Sequence, residues 1–400
     1  MKLLQFGAGN IGRSFIGQLF SAAGYEVVFA DVDARLIEAL NEHRGYTVAV
    51  RDAENRDIPV KGVRAIRSDN VAAVCREMTD ADVCGTSVGP RVLPLLFPAL
   101  AKAIEARHRA GRGPVDVILC ENLRDAARIV RDGLRPLLPN GFPLDRYVGL
   151  SETSIGKMVP LMTEAQKKTD PLTVFAEAYN TLILDRRALI NPVPAVPGLS
   201  PKDNMKAWVD RKSFVHNLGH ASLAYFSFLA RPEFARTYEA AENPELRAWT
   251  RRTMLESCAW LASTYPSEFS MADLTAHTDD LLNRFGNRNL GDTLHRVGRD
   301  LARKLSSQDR VTGALSACMD SGLPHRMILN TLAAGLYFLP PDEDGRVFPQ
   351  DEVIVRRASA EGPETVLREI TGLSGEAIAL AGMVYKQIQG KGGLRHVIGN

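Results

Sequence analysis

The sequence has few cysteines, and none of them are clustered. Its 400 residues include five, at Cys75, Cys84, Cys120, Cys258 and Cys318, with no CxxC pair and no Cys/His cluster. A structural zinc site needs closely spaced ligands, and a disulfide framework needs paired thiols. We therefore expect no bound metal and a reducing, cytoplasmic location.

The chain also lacks an excess of charge and a long apolar run. Its 49 basic and 47 acidic residues give a formal net charge of +2, which argues against a nucleic-acid binder held by a global positive field. No apolar stretch is long enough to cross a bilayer, and the apolar start of the chain is too short for a signal-peptide core. We expect a soluble protein that binds neither nucleic acid nor membrane.

Short apolar segments alternate with helix-like segments in the first half of the chain. Strands that are almost continuously apolar, as here, are typical of a mostly parallel, doubly wound sheet. Alternating apolar residues over 46–66, from Tyr46 to Val63, predict an inserted antiparallel hairpin or small sheet. The strands predicted for the main sheet are 2–6, 26–30, 82–88, 115–120, 147–151 and a segment near 172–179.

A glycine-rich turn lies where a dinucleotide-binding motif needs it. Gly7-Ala8-Gly9-Asn10-Ile11-Gly12 follows a predicted strand and opens a predicted helix, and Asp31 ends the next strand, 19 residues after Gly12. Gly7 permits the tight turn, Gly9 lets the backbone approach a pyrophosphate, and Gly12 allows close helix–strand packing. Asp31 can accept hydrogen bonds from the ribose hydroxyls and would repel a 2′-phosphate, so NAD is favoured over NADP. A flavin or another nucleotide stays open as an alternative. The predicted cofactor-binding residues are Gly7, Gly9, Asn10, Ile11, Gly12, Asp31, Thr86, Val88 and Gly89.

A proline-rich stretch, 191–197, separates two parts of the chain with different sequence patterns. The chain is too long for one ordinary domain, and from about residue 203 onward nearly all of it has a helical pattern. The expected fold is α/β: a Rossmann-type, doubly wound, mostly parallel sheet followed by a mainly α-helical C-terminal domain. We place a dinucleotide-binding domain at 1–195 and a helical substrate domain at 196–400.

Three residues of the second domain suit alcohol oxidation. On a regular helix, Asn217 lies about 140° and His220 about 80° from Lys212, so the three share one sector. A lysine whose pKa is lowered by burial can take a hydroxyl proton, a carboxamide can stabilise the developing alkoxide, and a histidine can orient the substrate. A solvated helix face or a polar core is the alternative for such a set.

The spacing Lys212-x4-Asn217-x2-His220, together with Phe6-Gly-Ala-Gly-Asn-Ile-Gly-Arg13, resembles the polyol-specific long-chain dehydrogenases of the mannitol dehydrogenase family. The resemblance implies metal-independent hydride transfer between NAD(H) and a small polyol, with Lys212 as general acid/base. It also implies that Asn217 and Asn122 bind the oxyanion and that His220 contacts substrate hydroxyls. Further matching segments are Arg284-Phe285 through Asn287, Arg296-Val-Gly-Arg299, Arg303-Lys-Leu305, Asp309-Arg310 and Gly322-Leu-Pro-His325.

One segment departs from the family pattern. Members commonly carry Val-Asp-Arg-Ile-x-Pro after a sheet strand, whereas residues 155–160 place Gly156 and Lys157 at the aspartate and arginine positions. Because that aspartate is expected near the substrate, the change affects the identity of the polyol more than the reaction type.

A basic cluster over 284–310 suggests a phosphorylated substrate. Arg296, Arg299 and Arg303 have the spacing of one helical face, and with Lys304 they form the expected phosphate site. The alternative is a solvated basic face paired with Asp292 and Asp300. The substrate pair that the resemblance implies is mannitol 1-phosphate and fructose 6-phosphate. A hexuronate (fructuronate or tagaturonate) reductase, a free-polyol dehydrogenase and a non-catalytic NAD-binding regulatory protein stay open.

Overall fold

The computed structural model describes residues 1–52, 54–159, 170–390 and 393–399. The chain divides into two compact units, Met1–Val209 and Asp210–Asn400. The domain boundary expected between residues 195 and 196 stays a prediction. Within the part of the chain that the structure describes, no helix is both long and apolar enough to cross a bilayer.

Strands and helical segments alternate along much of the first unit. Its strands are β1 Lys2–Phe6, β2 Glu26–Asp31, β3 Gly45–Val50, β4 Arg56–Lys61, β5 Val63–Arg67, β6 Val83–Thr86, β7 Val115–Leu119, β8 Val148–Ser154, β9 Thr173–Ala176, β10 Leu182–Asp185 and β11 Leu199–Lys202. Its helical segments are a π turn Gly12–Gly17, α1 Gln18–Ala22, α2 Ala34–His43, α3 Val71–Asp80, α4 Leu93–Arg109, α5 Ala126–Leu134, a 3-10 turn Arg135–Leu137 and α6 Leu144–Tyr147.

The large sheet has the doubly wound order. Its strands run β11-β10-β8-β7-β6-β1-β2-β5, and the six from β5 to β8 are parallel. In chain order these six are 3-2-1-4-5-6, the Rossmann arrangement. Among the described strands of this sheet, the one antiparallel pair is β10 with β8. Both faces of the sheet are covered by buried apolar side chains, which explains why the strands are apolar on successive residues. The predicted fold class is confirmed for this unit.

A second sheet of three strands, in the order β4-β3-β9, holds the predicted insertion. β3 and β4 form the expected antiparallel hairpin, but two details of the prediction are wrong. β5, which contains Val63, pairs parallel with β2 in the large sheet, because Gly62, with φ of +69°, turns the chain out of the hairpin. β9, expected in the large sheet, pairs with β3 instead. Apolar alternation identifies a strand but not its partner.

The second unit is helical, as predicted. The one β feature among its described residues is an isolated bridge between Arg236 and Thr293. The helical segments that lead into and form it are α7 Met205–Arg211, a π turn Lys212–Asn217, α8 Leu218–Ala230, α9 Thr237–Glu242, α10 Pro244–Thr264, α11 Met271–Phe285, a 3-10 turn Arg288–Leu290, α12 Leu294–Gly298, α13 Leu301–Lys304, α14 Thr312–Asp320, α15 Arg326–Gly335, α16 Pro349–Ala360, α17 Pro363–Thr371, α18 Gly375–Gln389 and α19 Gly393–Gly399.

Candidate active site

The glycine-rich turn of the first unit connects β1 to the first helix. Gly7 has φ of +93°, a conformation that side chains rarely adopt. A Cβ on Gly12 would lie 2.0 Å from the Gly7 carbonyl oxygen, so only glycine fits there. A Cβ on Gly9 would meet no atom within 4 Å. The turn therefore leaves open space at Gly9, where the sequence predicts that a pyrophosphate approaches the backbone.

Asp31 ends β2 and is fixed against this turn. Its carboxylate accepts hydrogen bonds from the backbone N–H groups of Ala8 at 2.6 Å, Val32 at 2.7 Å and Asp33 at 3.0 Å. A carboxylate offers about four acceptor positions, so one stays available. Because the side chain is partly exposed, it can present that oxygen to a ribose hydroxyl.

The first helix begins with a π turn, Gly12–Gly17, which is wider than an α-helical turn. The Arg13 side chain is buried in this turn, and its Nε donates to the carbonyl oxygen of Ala8 at 2.7 Å. One of its Nη groups donates to the carbonyl oxygen of Pro171 at 2.5 Å. Arg13 thus connects the glycine-rich turn to the segment before β9.

Tyr46 of the small sheet packs against the same π turn. Its hydroxyl donates to the carbonyl oxygen of Arg13 at 2.7 Å. A Cβ on Gly17 would lie 2.5 Å from that hydroxyl and 2.6 Å from the Phe29 ring, so the contact requires glycine. The insertion at 46–66 therefore supports the helix that carries the predicted cofactor site. Neither contact is visible in the sequence, because the residues involved are far apart in the chain.

Three predicted cofactor contacts lie where β6 ends: Thr86 is its last residue, and the loop after it carries Val88 and Gly89. The backbone N–H groups of Val88 and Gly89 donate to the carboxylate of Glu121 at 3.0 and 2.8 Å. Glu121 is 4% exposed, and burial raises its pKa. These N–H groups are therefore satisfied inside the protein, and any cofactor contact at Val88 and Gly89 must use other atoms. Sequence reasoning missed Glu121.

Asn122, the predicted oxyanion ligand of the first unit, directly follows Glu121. It is exposed in the loop between β7 and α5. This loop follows the carboxyl end of a parallel strand, the edge at which doubly wound sheets bind ligands.

The segment that differs from the family pattern, residues 155–160, follows β8, and its Lys157 has partners within the first unit. Lys157 is 6% exposed; its Nζ donates to Oδ1 of Asn180 at 2.9 Å and lies 5.2 Å from the centre of the Phe15 ring. A Cβ on Gly156 would meet the Tyr179 ring at 3.4 Å, an ordinary contact. The last residue of this segment, Pro160, lies outside the described residues.

In the second unit, the helix that carries Lys212, Asn217 and His220 is not regular. Residues Lys212–Asn217 form a π turn between α7 and α8. At roughly 4.4 residues per π turn, Asn217 lies about 50° from Lys212, closer than the predicted 140°. His220, three α-helical residues further on, lies within about 10° of Lys212 by the same count. The three residues occupy a narrower sector than the sequence predicted.

Lys212 and His220 lie in a desolvated, electropositive environment. The pKa of Lys212 is lowered from 10.5 to about 8, mainly by burial and to a smaller extent by the Arg310 guanidinium, while Asp309 opposes both effects. Burial also lowers the pKa of His220 well below its ordinary value. The His220 ring stacks on Phe285, with centroids 3.9 Å apart and planes at 28°. At neutral pH the imidazole is uncharged, and about a tenth of Lys212 is deprotonated, far more than for a lysine with an ordinary pKa.

Part of the basic cluster acts electrostatically on His220, but its arginines are not arranged on one helical face as predicted. Helix α12 ends at Gly298, and α13 begins at Leu301 after Asp300, which has φ of +75°. The predicted single helical face is therefore wrong, because arginine spacing does not reveal this break. The four predicted phosphate ligands already have partners: Arg296 pairs with Asp292, Arg299 lies over the Phe348 ring, Arg303 pairs with Asp300, and Nζ of Lys304 donates to the carbonyl oxygens of Arg296 and Val297.

Arg310 is a further buried cation, noted in the sequence as part of a family motif and of the basic cluster but not among the predicted phosphate ligands. It is 7% exposed, and its Nε donates to Oδ1 of Asp309 at 2.7 Å. Among the described residues, its Nη groups have no hydrogen-bond acceptor. The positive charge of Arg310 acts on both Lys212 and His220. Arg310 is thus a cation near the predicted base that keeps donors available.

Together, a Rossmann-type unit with an open glycine-rich turn and a helical unit with a desolvated lysine define the class of two-domain dehydrogenases. Within the described residues, no group of three or more His, Cys, Asp or Glu side chains could hold a metal ion. Residues 1–198 match the mannitol dehydrogenase Rossmann domain, and residues 204–386 match the mannitol dehydrogenase C-terminal domain. The chain belongs to the mannitol dehydrogenase family.

Two solved structures have a similar fold. A Pseudomonas fluorescens mannitol 2-dehydrogenase, in a ternary complex with NAD and D-mannitol, is 17% identical, with a TM-score of 0.77 over 100% of this chain and 94% of that one. A D-sorbitol dehydrogenase in substrate-free form is 16% identical, with a TM-score of 0.79 over 99% of this chain and 94% of that one. At this level of identity the likeness concerns the fold alone.

Proposed function

We propose that the chain is an NAD-dependent, metal-independent polyol dehydrogenase in which Lys212 is the general acid/base. The observation that carries this proposal is the desolvated Lys212, with a pKa of about 8, in the same narrow helical sector as Asn217 and His220. A base with a pKa near the working pH exchanges protons efficiently in both directions. A nucleotide-binding regulatory protein has no use for such a group.

The cofactor fits the first unit. The open space at Gly9 accommodates a pyrophosphate, Gly7 and Gly12 shape the turn, and the remaining acceptor of Asp31 suits an adenosine ribose and disfavours a 2′-phosphate. When bound, NAD supplies the hydride acceptor for alcohol oxidation.

In oxidation, neutral Lys212 takes the hydroxyl proton of the reacting carbon as the hydride departs. The carboxamides of Asn217 and Asn122 stabilise the developing negative charge on that oxygen. His220, uncharged and held by stacking, orients a neighbouring hydroxyl. In the reverse direction, protonated Lys212 returns the proton to the ketone oxygen.

For the substrate we propose the pair mannitol 1-phosphate and fructose 6-phosphate, because the sequence motifs resemble those of mannitol-1-phosphate 5-dehydrogenase. The arginines that act on His220, namely Arg284, Arg296 and Arg310, support a dianionic substrate. Arg310 is the best candidate ligand, since its Nη donors are available. The roles of Arg296, Arg299, Arg303 and Lys304 at a phosphate stay predictions.

A free polyol is the second candidate, because the structurally similar P. fluorescens enzyme binds D-mannitol. A hexuronate is the third, since a carboxylate also pairs with arginine.

The test follows NADH absorbance with fructose 6-phosphate, fructose, fructuronate and tagaturonate, with NADPH in parallel. Turnover of fructose 6-phosphate alone supports the phosphorylated pair. Preference for fructose or a uronate contradicts the phosphorylated pair but leaves the lysine mechanism intact.

Variants of two lysines test the mechanism itself. Lys212→Met should lose at least about a thousandfold in kcat and retain NADH binding, while exposed Lys206→Met, six residues earlier, should retain both. NADH binding without turnover of any ketose by the wild-type chain would favour a regulatory protein.

A further inference from the structure

Two loops at the carboxyl edge of the large sheet are joined by one buried side chain. β6 and β7 are parallel neighbours, so the loops that follow them emerge side by side. The backbone N–H of Cys120 donates to the carbonyl oxygen of Thr86 at 2.8 Å, which continues the pairing to the ends of the strands. One residue later, the Glu121 carboxylate accepts the N–H groups of Val88 and Gly89.

We propose that Glu121 is a positioning residue that fixes the loop after β6 against the cofactor and holds the backbone that presents Asn122 to the substrate oxygen. This inference rests on the proposed function, because it assumes that both loops face the reacting groups. Glu121 itself touches neither cofactor nor substrate.

The glycine-rich turn is coupled to the same loop. Ser87 donates its backbone N–H to the carbonyl oxygen of Phe6 at 2.8 Å, and Nε2 of Gln5 donates to the Ser87 hydroxyl at 3.0 Å. A Cβ on Gly7 would lie 2.7 Å from the Ser87 carbonyl oxygen, so the two segments are in close contact. A displaced loop after β6 therefore disturbs the pyrophosphate site as well.

Only a carboxylate satisfies this arrangement. The N–H groups of Val88 and Gly89 are adjacent donors, and each is bonded to a different oxygen of Glu121. A carboxamide has one acceptor oxygen and would face the second N–H with its own amino group. Because Glu121 is buried, water cannot readily replace the lost acceptor.

The second unit contains a control residue. Glu256 is also a desolvated carboxylate with a raised pKa. It accepts two adjacent backbone N–H groups, those of Met327 at 2.8 Å and Ile328 at 3.0 Å, on the same oxygen, Oε2, and the Met327 N–H also lies 3.0 Å from Oε1. Glu256→Gln therefore replaces a desolvated carboxylate that holds two adjacent N–H groups, at a place without a proposed part in the reaction, although its one carbonyl oxygen can still accept both groups.

The experiment measures the melting temperature, the NADH dissociation constant by fluorescence titration, and kcat and KM for the full-length chain. Glu121→Gln should lower the melting temperature at least as much as Glu256→Gln, because only Glu121 divides its two N–H groups between both oxygens. Only Glu121→Gln should weaken NADH binding, by tenfold or more, and lower kcat by tenfold or more. Glu121→Asp keeps two acceptor oxygens and should recover part of the NADH affinity. If Glu121→Gln does not fold, the comparison uses Glu121→Asp instead, which should bind NADH more weakly than Glu256→Gln.

Several outcomes would overturn the inference. If a folded Glu121→Gln binds NADH and turns over within twofold of wild type, the residue is merely structural. The same holds if Glu256→Gln shows an equal loss of NADH affinity, or if Glu121→Gln does not fold and Glu121→Asp binds NADH as tightly as Glu256→Gln. NADH binding is measured without substrate, so a wrong substrate assignment does not affect the result. A wild-type chain that does not bind NADH overturns both the proposed function and this inference.

Discussion

Replacing Lys212 with methionine removes a desolvated ammonium and keeps most of the side-chain volume. The pKa of the Lys212 ammonium falls from 10.5 to about 8 in the folded chain. At about 1.4 kcal/mol per pKa unit, this fall corresponds to at most about 3.5 kcal/mol of destabilisation by the charged form. Lys212 keeps some solvent exposure, which screens part of the effect. We expect Lys212→Met to unfold with about 1–3 kcal/mol more free energy than wild type at pH 7.

The stability that Lys212→Met gains over wild type should decrease as the pH rises. Because the pKa is lower in the folded chain, the unfolded chain binds more protons between about pH 8 and 10.5, and the stability of the wild type rises with pH there. Below about pH 8 the penalty is fully present. The advantage of the methionine variant should therefore be largest at or below pH 7 and shrink toward pH 10.

Urea unfolding at pH 7 and pH 9.5, followed by tryptophan fluorescence, measures this difference. Trp260 is a local probe, because its ring lies 5.7 Å from that of Phe214 in the same π turn. Lys206→Met, at an exposed lysine, is the control and should change stability little at either pH. A Lys212→Met chain no more stable than wild type at pH 7, or equally stabilised at both pH values, would refute the desolvated-base reasoning.

Three further predictions concern the same two units. The pH profile of kcat/KM for polyol oxidation should rise about tenfold per pH unit and level off near pH 8, while ketose reduction should fall above it, because Lys212 must be neutral in one direction and protonated in the other; a profile flat from pH 6 to 9 would exclude Lys212 as the titrating group. Gly9→Ala should melt like wild type, since its Cβ meets no protein atom, but bind NADH at least about tenfold more weakly by fluorescence titration; equal affinity would place the pyrophosphate elsewhere. Tyr46→Phe should lose about 1 kcal/mol of stability with the hydrogen bond to Arg13 and raise the NADH dissociation constant; a change in neither quantity would mean that the small sheet does not support the cofactor helix.

Local pattern was enough to predict a Rossmann-type, doubly wound, mostly parallel sheet and the helical second unit. Buried parallel strands and the glycine-rich turn are encoded within short windows, so Gly7, Gly12 and Asp31 lie where expected. Partners that depend on distant chain segments were not predictable. The pairing of β9 with β3, the contact of Tyr46 with Arg13 and the hydrogen bonds of Glu121 each join residues that no local window contains.

In the candidate site, the sequence prediction assumed a regular helix through Lys212, Asn217 and His220, whereas the structure has a π turn over Lys212–Asn217. The break at Gly298 and Asp300 removed the expected arginine face, because a left-handed residue between two short helices leaves no trace in arginine spacing. Arg310 gained its importance from burial beside Asp309, a property of tertiary packing.

The π turn at Lys212–Asn217 is equivalent to an α-helical turn with one residue added. The angle around the helix axis between Lys212 and Asn217, five positions apart, is therefore close to the angle between residues four positions apart in a regular helix. Likewise, the angle between Lys212 and His220, eight positions apart, is close to that between residues seven positions apart. Removing one residue among 213–216 should restore a regular helix and keep all three side chains on one face, with their spacing along the axis changed by about one residue's rise. The arrangement of the site is thus set partly by how many residues the turn contains, a variable that point substitutions leave untouched and that single-residue deletions can probe.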